Sequence, residues 1–154
     1  MSQWLEVASI VSTVDIDRPP DEVFAYATNP ERFGEWQEGV VEGYIEGAVG
    51  LGARCVMTRR VGRAQRTSTS EVTEYDPPAR WAIHGIDGPV RADVSVDVAP
   101  LDEGRRARVT IALDFHGRGF GRLIAPYVTN HARKEVPVSC QRLKAKLERL
   151  SGPS

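Results

Sequence analysis

Three side chains of this sequence have the chemistry to hold the polar end of a small molecule: Arg59, Tyr127 and His131. Arg59 keeps the parity of Cys55 and Met57 along "ARCVMTRRV", so it shares their face of a strand, where a guanidinium would neutralise an acidic group. Tyr127 offers a hydroxyl to a carbonyl, and His131 an imidazole that exchanges a proton near neutral pH. Leu123, Tyr127 and His131 follow one another four apart, the spacing of one helix face. Each polar residue also has a plainer reading. Arg59 can stand at a hairpin end where parity fails and "TRRVGRAQR" is wholly solvated, Tyr127 can pack with a wet tip, and His131 can be an exposed helix position.

The remaining reactive residues form no constellation. His84 and His116 fall on the parity opposite to Trp81 and Phe115, which places them at the surface, and no HxH or HxxxH spacing suggests a metal. No GxSxG elbow is present. "GRGFGR", from Gly117 to Arg122, opens a helix with glycines but lacks the Lys-Ser/Thr of a phosphate-binding loop. Arg54, Arg59, Arg60, Arg63 and Arg66 make a positive stretch that raises contact with nucleic acid or an acidic membrane. It carries no aromatic residue for base stacking, so a solvated face is the reading adopted. Cys55 and Cys140 lie far apart, outside any CxxC, and fit reduced thiols in a cytosol. No cofactor is expected.

Composition sets the bounds on what could position these groups. The chain has 154 residues, 41% hydrophobic and 27% charged, with a net charge of −1. That is one compact domain with a single core and no global bias toward nucleic acid or membrane surfaces. "MSQWLEVASI" lacks the basic and apolar parts of an export signal, and no stretch approaches the roughly 18 apolar residues of a spanning helix, so a cytoplasmic protein without integral membrane association is expected.

Ile10 to Asp17 alternate apolar and polar like a half-buried strand, which "RPP" ends. Pro20 at a first helical turn, followed by Asp21 and Glu22, predicts a helix to about Thr28; "NPERFGEW", with Asn29 as cap, predicts a second. Short segments split by Gly, Pro and Asp then read as an antiparallel meander of about six strands. Gly117 to Leu150 is the one long helical pattern, with Val136, Cys140, Leu143, Leu147 and Leu150 at spacings of three and four. Pro126 and Pro137 inside it predict a kink or break. One domain over residues 1–150 is expected, with 151–154 as a loose tail.

The order of elements, and the stretches "IDRPPDEVFAYATNPERFGEW", "VGLGARCVMT", "EVTEYDPPARWAIH" and "LKAKLERL", resemble the SRPBCC superfamily, which includes START lipid-transfer domains, the major birch-pollen allergen and polyketide cyclases. The resemblance spans nearly the whole chain. It implies an α+β helix-grip fold: a curved seven-stranded antiparallel sheet wrapped round a long C-terminal helix, with two short helices after the first strand and a cavity between helix and sheet. On that scaffold, alternation turns Ser12, Val14, Cys55, Met57, Arg59, Ser70, Val72, Trp81, Ile83, Val94, Val96, Ile111 and Leu113 inward. The expected ligand contacts are Met57, Arg59, Ser70, Trp81, Ile83, Val94, Ile111, Leu123, Tyr127 and His131. A cavity lined by Met57, Trp81, Ile83, Val94 and Leu123 would hold a hydrophobic small molecule such as a lipid, polyketide or isoprenoid-like compound. The alternative is a cyclase or aromatase that folds a poly-keto chain in the same cavity for aldol closure and dehydration. A monomer or weak homodimer is expected, without nucleic acid.

Overall fold

The structure, a computed structural model, describes residues 9–150. The tail expected at 151–154, and most of the N-terminal stretch read for an export signal, lie outside the described residues. Strand β1 (Ile10–Ile16) leads through Pro19 into helix α1 (Pro20–Ala27), whose first turn carries Asp21 and Glu22 at the positive end of its dipole. A 3-10 helix (Pro30–Glu35) follows at once, with the Asn29 side chain accepting from the Glu31 N–H at 3.1 Å.

The chain then winds through β2 (Val40–Glu46), β3 (Arg54–Val61), β4 (Ala64–Asp76), β5 (Arg80–Gly85), β6 (Val90–Leu101) and β7 (Arg106–Gly117). Each pairs antiparallel with the next, and β1 returns to pair with β7, giving the order β1-β7-β6-β5-β4-β3-β2. This is the helix-grip order. Short turns dictate the meander, because antiparallel neighbours need only a few residues between them.

Helix α2 (Gly121–Leu150) runs on without interruption, so the break expected at Pro126 or Pro137 does not occur. Pro126 sits near the start, where few intrahelical partners are lost, and Pro137 removes a single bond from a helix held by packing on both sides of it. Cys140, Leu143 and Leu147 are at most 3% exposed, and α2 packs on β1, β7 and β6. A latch fixes that end of the helix. Lys144 Nζ donates to the Asp15 carbonyl at 2.9 Å and to Glu148 Oε2 at 2.7 Å, and the Asp17 N–H donates to Glu148 at 2.9 Å. The opposite end of α2 is set by Gly121, which lies so close to the Pro89 carbonyl that a Cβ would collide with it.

Trp36 is buried at the junction of the short helices and β2, edge-on to Phe33, which is itself edge-on to Trp81. Among the described residues, no helix is long and apolar enough to cross a membrane.

Candidate functional site

The concave face of the sheet divides into a packed part and an accessible part. Where the second half of α2 meets β1 and β7, residues such as Ile16, Val109 and Leu143 are fully buried. Elsewhere on that face, and on the α2 residues turned toward it, coverage is only partial: Met57, Ser70, Val94, Phe115, Ala132 and Val136 all keep some exposure. Partly accessible residues inside a two-layer fold are where a ligand recess is expected.

The register aligns the sheet residues expected there. Val72 opposes Ile83, Ile83 opposes Val94, and Val94 opposes Leu113; in the neighbouring rank Trp81 opposes Val96, and Val96 opposes Ile111. Met57 lies two residues from Cys55, which opposes Ser70. Met57, Arg59, Ser70, Trp81, Ile83, Val94 and Ile111 therefore share one face of the sheet. Trp81, Ile83 and Ile111 lie in the buried core cluster, while Met57 and Val94 pack at its margin.

The helix residues behave differently. Leu123 and Tyr127 are each 77% exposed and His131 is exposed, so the stripe expected to face the cavity faces outward. The cause is angular. About 100° per residue places Leu123 about 220°, and Tyr127 about 180°, from Val136 around the axis. A stripe containing Val136, Cys140 and Leu143 excludes the other; burial of three apolar side chains decides which one turns in. The inner stripe runs instead through Val128, Ala132, Glu135, Val136 and Ser139.

The polar groups of the recess are few. Arg59 Nη2 donates to Gln37 Oε1 at 2.8 Å, and among the described residues no carboxylate stands within ion-pairing distance of it. Burial pulls its pKa below the usual guanidinium value. It is thus surrounded by protein yet still reached by water, with one amide to satisfy a group of five N–H donors. Burial also pushes the nearby Cys55 thiol up to about 11, against the pull of Arg59. On the helix, Glu135 Oε2 is buried without a hydrogen-bond partner, as is Trp36 Nε1. Gln37, Glu135 and the Trp36 ring nitrogen are not among the expected contacts. Glu135 was legible, one residue before Val136 on the stripe that packs; Gln37 was not, because its contact with β3 depends on the turn after the 3-10 helix.

A groove of about 810 Å³ opens at the α1 end and reaches the same concave face through Ile45, Val72 and Trp81; its outer lining includes Phe24, Tyr75 and Val49. A second recess, of about 670 Å³, lies over the latch and is lined by Asp15, Arg106, Arg108 and Lys144. On the convex face, His84 and His116 are both exposed, as their parity requires, and share Asp93; His116 Nε2 lies 2.7 Å from Asp93 Oδ2.

Comparison with known proteins agrees with this fold. The family model described as polyketide cyclase / dehydrase and lipid transport matches residues 7–148. The Zhui aromatase/cyclase of a Streptomyces species superposes with a TM-score of 0.78 at 16% identity, over 94% of this chain and 98% of that one. A START superfamily protein of Mycobacterium smegmatis gives 0.75 at 12% identity, covering 92% and 97%. A Thermus thermophilus protein gives 0.75 at 18%, covering 93% and 99%. At these identities the likeness is one of fold. No curated protein matches the sequence significantly.

Proposed function

The chain belongs to the polyketide cyclase/dehydrase and lipid transport family, and from that premise we propose that the recess between β3–β6 and the first half of α2 binds an apolar small molecule carrying an acidic or carbonyl oxygen. Arg59 carries the reading. A guanidinium enclosed by protein, bonded to one amide and paired with no carboxylate, is an unfavourable arrangement for the free protein, because desolvation of the charge is not offset. A ligand oxygen on its spare donors removes that deficit. Along the same face, Met57, Ile83, Val94 and Phe115, with Val136 of α2, would cover a hydrocarbon or aromatic body, at about 25 cal/mol per Å² of apolar surface buried.

A second reading rests on Glu135. A buried carboxylate oxygen without a partner on α2 supports it as the base that would take a proton from a bound keto compound, the step that aldol closure needs. Arg59 would then polarise a carbonyl, and the recess would hold the chain folded. Both readings share the recess and differ in turnover.

Native mass spectrometry of freshly purified protein tests the shared part. An additional mass that leaves on denaturation, and that fragments as an apolar acid or ketone, is expected; only the bare chain, together with no uptake from a mixture of fatty acids and aromatic polyketones, would count against both. Conversion of a bound poly-keto compound that Glu135→Gln abolishes, while binding persists, would select the second.

A further inference from the structure

The first turns of α2 carry a face that nothing in the fold covers. Phe120 is 67% exposed, Leu123 and Tyr127 are 77%, and Ile124 is 39%, at spacings of three and four along one side of the chain. They form the outward stripe opposite Val136, so no rearrangement of the core is needed to explain them. Three large apolar side chains on one helix face, with a fourth at the residue before it, are an exception among surfaces, where exposed apolar residues are usually scattered.

Charge sorts with this face. From Phe115 to Lys134 there is no Asp or Glu, while Arg118, Arg122, Arg133 and Lys134 are present. The antiparallel order brings the β7–α2 turn, the β5–β6 turn and the β3–β4 hairpin to the same end of the sheet. That hairpin runs six residues beyond the Ser70–Gly85 pair and presents Arg60, Arg63 and Arg66 with the exposed Val61. Asp87 is the one carboxylate of the β5–β6 turn, and it accepts from the Thr69 N–H at 2.9 Å. Elsewhere arginines meet carboxylates, as Arg80 meets Glu74 and Asp97 and Arg108 meets Asp15. Among the described residues, Arg60, Arg63, Arg66, Arg118 and Arg122 have no ion pair, although the whole chain carries a net charge of −1.

We propose that this end of the molecule docks on an anionic bilayer, with Phe120, Leu123, Ile124 and Tyr127 entering the interface and Arg118, Arg122 and the hairpin arginines on the headgroups. An apolar helix face flanked by unpaired cations is the signature of helices that lie in the interface plane. Charge complementarity selects this occupant. A second copy would set one positive surface against another, and nucleic acid would leave Leu123, Ile124 and Val61 without bases to stack on. The surface stands independently of what the recess binds.

Vesicle flotation of the full chain tests the proposal, with phosphatidylcholine alone and with about one third phosphatidylglycerol. Partition onto the anionic vesicles is expected to exceed that onto neutral ones at least tenfold, and to fall steeply as salt rises from about 0.1 M to 0.5 M. Arg118→Ala with Arg122→Ala should lower it by about 20-fold, and Leu123→Ser with Tyr127→Ser by at least tenfold. These side chains are exposed, so thermal melts should not move; if the apolar variant fails to fold, the arginine variant and the salt series decide alone. Equal partition onto both vesicles, or no loss in the variants, overturns the proposal. So does a dimer in sedimentation velocity that Leu123→Ser with Tyr127→Ser dissolves without any vesicle binding, and so does tight binding of a single-stranded oligonucleotide that the same variant leaves unchanged.

Discussion

Arg59 sits on the inner face of β3, held by Gln37, while Leu123 stands on the outer face of α2. Parity along β3 holds because the strand pairs on both sides without a bulge between Arg54 and Arg59 on its β4 side, so each second residue stays on one face. Helical spacing is weaker: residues four apart share a face, but spacing alone does not say which face is buried. That information lay in the run Val136, Cys140, Leu143 and Leu147, which the sequence showed and which fixes the rotation of the whole helix. Replacing Arg59 by Met removes an uncompensated charge, so urea unfolding of the free protein should show stability unchanged or raised by about 1 kcal/mol, where an ordinary buried ion-pair partner would cost several. The Cys55 thiol, held at about 11 by burial, should have on the order of a thousandth of its population ionised at pH 8 and react with a disulfide reagent only as fast as the protein unfolds.

The elements were legible where local chemistry decides them. Pro20 and Asn29 start their helices as capping chemistry requires, and the meander follows from short turns. What the sequence did not show is the latch between β1 and the end of α2, because its residues are 129 to 131 positions apart and none is unusual in type. Burial alone would raise the Glu148 carboxyl, but the Lys144 ammonium and the Asp17 N–H outweigh it and hold the pKa below its ordinary 4.5. A carboxylate depressed in the folded state stabilises above its unfolded value and loses that contribution as pH falls through the folded one. Glu148→Gln should therefore lower stability by about 1 kcal/mol at pH 7, after allowance for solvent screening, and the gap between the two proteins should narrow as pH falls below the ordinary 4.5 and close once it passes the folded-state value. Thermal melts of both across pH 3 to 8 check it, and a gap independent of pH would assign Glu148 a packing role only.

At the scale of the molecule, the helix is gripped at its C-terminal half, while its first half carries mostly exposed or partly covered residues. Local stability should follow that gradient. Hydrogen exchange is expected to be slowest at the amides of Leu143 and Leu147 and at least tenfold faster between Tyr127 and Ala132, where fewer apolar contacts hold the turns. A ligand in the recess should slow exchange there and leave the latched end unchanged. The most direct measurement is a fluorescence titration of the intact protein and Arg59→Met with a polyunsaturated fluorescent fatty acid and its methyl ester, which share the apolar body and differ only in the charge offered to Arg59. The intact protein should bind the acid at least tenfold more tightly than the ester, in keeping with about 1.5–3 kcal/mol for a charged hydrogen bond, and Arg59→Met should bind the two alike. Equal binding of acid and ester by the intact protein, or a preference for the acid that survives in Arg59→Met, would contradict Arg59 as the anchor of the site.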